Sequence, residues 1–196
     1  MKNLEFKLIK TSGFIATNTY IFERNGEIFV VDPGFGIGEY LERKPVKVLL
    51  THGHYDHIAG LVELNVVDVY ISKEDKELLY DSNKNFSHLF GKDFIFNGET
   101  KDIDKHFYTI KTPGHTLGSR IIIIEDLIFT GDTIFCNTIG RSDLGGSKEL
   151  MNKTIKNLNE LFLDFDENMF ILPGHEKICK ISDLFKFNPF FKRGII

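Results

Sequence analysis

Four strand-like runs in this chain of 196 residues end in glycine-containing turns that carry histidine or aspartate. Val46 to Leu50 leads into Thr51-His52-Gly53-His54-Tyr55-Asp56-His57. Phe107 to Lys111 leads into Thr112-Pro113-Gly114-His115, Leu127 to Phe129 into Thr130-Gly131-Asp132, and Phe170 to Leu172 into Pro173-Gly174-His175. Runs of this kind read as buried strands. Glycine lets the chain turn sharply where such a strand stops and leaves room for close approach. The recurring plan is a buried strand whose end presents a side chain able to ligate a metal.

Seven side chains fit that plan: His52, His54, Asp56, His57, His115, Asp132 and His175. Imidazole nitrogens and carboxylates are the ligands that zinc and similar divalent ions prefer. Three of the chain's seven histidines fall within positions 52–57, an excess that a solvated turn has no structural reason to collect. Closed structural zinc sites use four ligands, often cysteines, whereas seven His and Asp ligands shared by two ions leave positions open for water. His88 lies in the polar stretch 81–92 and reads as a surface residue. His106 precedes a strand and has no evident partner.

Strand signals dominate the first half. Leu4 to Ile9 alternates apolar and polar, and Asn18 to Glu23 and Glu27 to Val31 flank a turn at Asn25-Gly26 and read as a hairpin. Asp32-Pro33-Gly34 stops the second of these strands. Further strands are expected at Val66 to Ile71, Phe94 to Phe96, Arg120 to Ile124, Leu127 to Thr130 and Met169 to Leu172. Helices are expected at Ile37 to Arg43, at Asp56 to Leu64, from Ser72 through Tyr80, and from a Ser147 cap to about Phe162. This order predicts an α+β fold of two packed sheets with helices outside. The Phe-rich tail Leu184 to Phe191 is expected to pack on the core.

Composition narrows the partners. With 42% apolar and 27% charged residues the chain has the balance of a soluble globular protein. Its length suits one core, so residues 1–196 read as a single domain. No apolar run approaches about 18 residues, so no membrane-spanning helix is expected. Met1 to Lys7 lacks the apolar core of a signal peptide, which points to the cytoplasm. Net charge is −4, and the basic end Phe191-Lys192-Arg193 is short, so no nucleic-acid partner is expected. Cys136 and Cys179 are far apart and not in a CxxC, and are read as two free, reduced thiols.

The run His52-Gly53-His54-Tyr55-Asp56-His57, followed by His115, Asp132 and His175, resembles the metallo-β-lactamase fold superfamily over nearly the whole chain. The resemblance implies an αββα sandwich of two mixed β-sheets flanked by helices, with two divalent metal ions at one edge. Zinc is the expected metal, with iron or manganese as alternatives. By the resemblance His52, His54 and His115 hold one ion, Asp56, His57 and His175 hold the other, and Asp132 bridges both. Residue spacing agrees, since His52 and His54 share a face of an extended segment while Asp56 and His57 lie past the turn.

Gly140-Arg141-Ser142-Asp143 resembles the Gly-Arg-Thr-Asp stretch of short bacterial glyoxalase II-like hydrolases, with Ser142 in place of threonine. That likeness implies hydrolysis of a small-molecule thioester such as S-lactoylglutathione by a hydroxide shared between the ions. Asp56 and Asp132 would be catalytic, orienting the water or accepting its proton. Arg141 would bind a substrate carboxylate through its planar fork, or else pair internally with Asp143. Residues 176–196 are too few for the C-terminal helical region with which full-length glyoxalases grip glutathione. Two alternatives stand beside this reading. One is a persulfide dioxygenase with a single iron on His52, His115 and Asp132, and the other is a hydrolase of another ester or lactam.

Overall fold

The computed structural model describes residues 4–13 and 15–192. Met1, Lys2 and Asn3 of the segment read for a leader, and Arg193 of the basic end, lie outside the described residues. The first half contains β1 (Phe6–Lys10), β2 (Asn18–Arg24), β3 (Glu27–Val31), β4 (Pro45–Leu49), the single helical turn α1 (Tyr55–Ile58), β5 (Asn65–Ile71) and β6 (Lys101–Asp102). The second half contains β7 (Tyr108–Lys111), β8 (Arg120–Ile124), β9 (Leu127–Gly131), α2 (Lys148–Leu161), β10 (Phe170–Pro173), β11 (Cys179–Lys180) and α3 (Ile181–Phe187).

Two mixed sheets result. One has the order β1-β2-β3-β4-β5-β6, and the other has β11-β10-β9-β8-β7. Strands β1 to β3 are antiparallel, while β3 to β6 run parallel. In the second sheet β9 and β10 are the parallel pair. The β2–β3 turn has Asn25 and Gly26 at φ 55° and 76°, which two-residue hairpin turns require and asparagine and glycine tolerate.

Strand alternation sorts the core into three layers. Phe29, Val31, Leu49, Ile122, Phe129 and Leu172 face the space between the sheets. Their neighbours Val30, Val48 and Leu50 face the outer side of the first sheet, under Ile37, Ile58 and Leu79. Ile121, Ile128 and Ile171 face the outer side of the second, under Met151, Ile155 and Leu158 of α2 and Leu184 of α3. This is the expected αββα sandwich. Ser147 Oγ accepts from the Leu150 N–H at 3.3 Å and caps α2, as its sequence predicts. The aromatic tail packs on the same outer core through buried Phe191 and Leu184, while Phe187 and Phe190 stay exposed.

The structure corrects several expectations. Phe94 to Phe96 forms no strand; the Phe96 N–H bonds the Leu79 carbonyl at 2.8 Å and its ring packs against the first sheet's outer core. The helix expected at Asp56 to Leu64 is α1 followed by a 3₁₀ segment, Ala59–Glu63. The helix expected from Ser72 is a turn and a 3₁₀ segment, Lys76–Tyr80, and Ile37 to Arg43 shortens to Ile37–Tyr40. Tertiary hydrogen bonds set these paths. Gly60 N–H bonds the Pro33 carbonyl at 2.8 Å, and the Asp75 carboxylate is drawn to the Gly53 and Gly118 N–H groups. Local pattern cannot register such pulls.

The two cysteines are not free. Cys136 and Cys179 form a disulfide, with Cα atoms 6.0 Å apart and a sequence separation of 43. Cys136 lies four residues after Asp132, and Cys179 four residues after His175. The bond ties the segment after β9 to β11. A chain-entropy argument for a loop of that length gives about 4 kcal/mol of stabilisation. Reduction, or Cys136→Ser with Cys179→Ser, is expected to lower the thermal midpoint by roughly 10 °C. Equal midpoints with and without reductant would reject a stabilising role.

Candidate metal centre

The ends of β4, β9 and β10, with the turn after β7, converge at one edge of the sandwich. His52, His54 and His115 offer ligand atoms within 4.8 Å of one another, and so do Asp56, His57 and His175. Asp132 lies between the two groups. Its carboxylate oxygens are 3.4 Å from His57 Nε2, 3.3 Å from His175 Nε2 and 3.7 Å from His115 Nε2. Asp56 Oδ2 lies 3.3 Å from His57 Nε2 and 3.2 Å from His175 Nε2. All seven residues singled out in the sequence therefore meet, in two groups of three with one carboxylate between.

The chemistry of the inward atoms fits metal ions. His52 Nε2, His54 Nε2, His57 Nε2, His115 Nε2 and Asp132 Oδ1 are buried without a hydrogen-bond partner among the described residues. A folded interior rarely tolerates orphaned polar atoms, each costing about 1–3 kcal/mol. Five orphans converging on one place are accounted for if they share cations. Gly174 closes the floor, since a Cβ there would collide with Asp132 Oδ1 and His57 Cε1.

The opposite ring nitrogens are tied down. His57 Nδ1 meets Asp32 Oδ2 at 3.0 Å, His115 Nδ1 meets the Arg141 carbonyl at 2.7 Å, and His175 Nδ1 meets the Ala16 carbonyl at 2.9 Å. His52 Nδ1 meets Thr51 Oγ1 at 3.1 Å. A hydrogen bond at Nδ1 fixes the ring and leaves Nε2 as the ligating atom. Thr17 Oγ1 donates to Asp56 Oδ2 at 3.1 Å.

Two buried acids that sequence reasoning missed hold this frame. Asp32 accepts from the Thr51 N–H at 2.8 Å and from Thr51 Oγ1 at 2.6 Å, besides meeting His57. Its signal was present, because Asp32-Pro33-Gly34 repeats the strand, acid and glycine layout at the end of β3. Asp75 accepts from the Gly53 and Gly118 N–H groups and from Thr116 Oγ1, so it clamps the His52–His54 loop to the His115 turn. Nothing in its neighbourhood in the sequence marks it. Arg141 stands at the rim with its guanidinium on Asp143, both contacts at 2.6 Å, and its side chain exposed. His88 is exposed, and His106 lies 5.2 Å from the Tyr70 ring.

Electrostatics divides the histidines. Burial, with neighbouring imidazoles, pushes His52 well below its ordinary range and His54 down to about 3. Burial acts the same way on His57, but the carboxylates of Asp56, Asp132 and Asp32 override it and hold His57 well above its range. Against burial, Asp132 and Asp56 lift His175 to about 10. Burial raises Asp56 and Asp132, yet the cationic rings beside them hold both well below the usual carboxylate range. The surrounding carboxylates thus favour the protonated forms of His57 and His175, which binding of a metal ion at their Nε2 atoms would have to reverse. Metal loading at pH 7.5 is expected to release about two protons per chain and to weaken as pH falls. Indicator-dye titration in weak buffer checks this, and loading without proton release would contradict it.

Fold and centre together define a class. The chain belongs to the metallo-beta-lactamase superfamily, whose profile it matches over residues 12–175. It is 32% identical over 189 residues to the "probable metallo-hydrolase" YqgX of Bacillus subtilis (strain 168), covering 83% of this chain and 86% of that one. Among solved structures it is similar to the BLEG-1 B3 metallo-beta-lactamase, at 30% identity and TM-score 0.80, covering 95% of this chain and 99% of that one. It is also similar to TTHA1623 in a di-iron-bound form, at 25% identity and TM-score 0.75, covering 92% and 98%. Among the described residues no helix is long and apolar enough to cross a membrane.

Proposed function

We propose that this chain is a metal-dependent hydrolase of small-molecule thioesters, glyoxalase II-like in its chemistry. His52, His54 and His115 would hold one divalent ion, Asp56, His57 and His175 a second, and Asp132 both. Zinc suits this donor set, and so do iron and manganese; iron is what the TTHA1623 structure holds. Ions held there would provide an activated water at neutral pH and Lewis-acid polarisation of the scissile carbonyl.

The chain's own residues supply position and proton acceptance. Asp56 and Asp132 are carboxylates throughout the neutral range, so either serves to orient the attacking water and take its proton. The water oxygen bonds the carbonyl carbon, the C–S bond breaks, and sulfur departs with the electron pair. What supports the thioester reading is that, among the described residues, the polar side chains set directly against the two ligand groups are already engaged and offer no spare proton. Asp32 is held by Thr51 and His57, and Arg141 by Asp143. A thiolate needs none, because thiol pKa values lie near about 8.5. Arg141 retains its proposed role at the rim, where a substrate carboxylate would replace Asp143 on the guanidinium.

A lactam substrate is the second reading, favoured by the 30% identity to BLEG-1. Elemental analysis of the purified protein, with parallel assays on S-lactoylglutathione, a chromogenic cephalosporin and glutathione persulfide, separates the readings. Two metal equivalents with thioester hydrolysis are expected. Lactam turnover alone would favour the second reading. One iron with oxygen uptake on the persulfide would overturn both.

A further inference from the structure

A cavity of about 320 Å³ borders Asp56. Its walls are Ile15, Phe35, Tyr55, Ala59 and Phe90, and Lys92 is the cation among its lining residues. At about 30 Å³ per water molecule it holds some ten waters' worth of volume, room for a group larger than lactoyl. Ile15 and Phe35 are 44% and 54% exposed, an apolar surface left uncovered immediately beside a polar centre. The Tyr55 ring is set against Phe90 at 5.9 Å and Phe94 at 5.6 Å, so the aromatic wall is built and not loose. Lys92 is exposed, and no acidic side chain among the described residues pairs with it within 4.0 Å.

We infer that this cavity binds the acyl arm of the substrate, and that the arm is apolar with a carboxylate at its far end. The inference rests on the thioester reading and deepens it by naming the acyl class. Apolar walls recognise a hydrocarbon or aryl stem by burial. Lys92, a cation in that lining, attracts an anion, which places a carboxylate on the arm away from the reacting carbonyl. A polar thiol half such as glutathione does not suit these walls, so the acyl half is assigned to them. Arg141, which backs His115 through its carbonyl, belongs to the first ligand group and is left for the thiol half.

Two measurements on the zinc-loaded protein test this. The first compares kcat/KM for S-lactoylglutathione, S-octanoylglutathione and S-(7-carboxyheptanoyl)glutathione. The long carboxylated acyl group is expected to be preferred, and Lys92→Gln to lower the carboxylated-to-octanoyl ratio about tenfold. The second follows backbone amide shifts on titration with 4-phenylbutanoate and 4-phenylbutan-1-ol. Shifts are expected at Phe35, Tyr55 and Ala59, with tighter binding of the acid, an advantage that Lys92→Gln removes, while Phe35→Ala weakens both probes. Absence of those shifts, or an acid preference that survives Lys92→Gln, would overturn the cavity assignment. Probe binding as expected without hydrolysis of any thioester would instead reject the thioester reading and leave an anion-tipped apolar ligand class standing.

Discussion

Asp132→Ala is expected to remove metal and hydrolysis together, with activity falling at least about 1,000-fold. The reason is its place between the two ligand groups. Its carboxylate lies 3.3–3.7 Å from Nε2 of His57, His175 and His115, and one oxygen is buried without a hydrogen-bond partner. On the proposed assignment, deleting it would deprive both ions of an anionic ligand and leave the neighbouring imidazoles without a counter-charge. Asp132→Asn keeps the shape without the charge, so it tests charge separately from packing. Metal content by elemental analysis, thioester turnover and the circular dichroism spectrum are measured on the same sample. Full activity in the alanine variant would reject the bridging role, and a native spectrum with metal absent would confirm that the loss is local.

The second large effect is at Asp32, which lies behind the centre. Asp32→Ala strips three partners at once: the Thr51 N–H, the Thr51 hydroxyl and His57 Nδ1. All lie in the interior, where Asp32 is 2% exposed. Breaking a buried, hydrogen-bonded pair costs about 3–5 kcal/mol. Losing the carboxylate that orients a ligating histidine weakens metal binding about 10- to 100-fold. The variant is therefore expected to melt earlier and to yield its metal to a weaker chelator. If melting drops while chelator competition is unchanged, Asp32 braces the fold and does not tune the centre. Asp32→Asn retains one acceptor oxygen and should fall between.

The contrast between these two residues shows what is legible in a chain of this kind. Asp132 follows a glycine at the end of a buried strand, and it stood out because three other strands end alike. Asp32 has the same layout but precedes its glycine by two residues and lacks a nearby histidine, so it read as a strand stop. Asp75 offers no local sign at all. Its partners are Gly53, Thr116 and Gly118, 22 to 43 positions away, and only folding creates that proximity. The strands β3 and β8 match their expected limits because alternation and apolar runs are local signals. The short helices did not match, because bonds such as Gly60 to Pro33 bend them into 3₁₀ turns.

By itself the sequence determined which seven side chains stood out as candidate ligands, the two-sheet class and the lack of any apolar run long enough to span a membrane. These follow from residue type, spacing and period, which are properties of neighbours along the chain. Tertiary structure decided the rest. It paired Cys136 with Cys179 across a sequence separation of 43 and committed the Arg141 guanidinium to Asp143. It also set Asp32 behind His57 and opened an apolar cavity between Ile15, Tyr55 and Phe90 beside Asp56. Each of these depends on distances between segments remote in sequence. Those distances are fixed only when the two sheets close on a shared core and bring their strand ends to one edge.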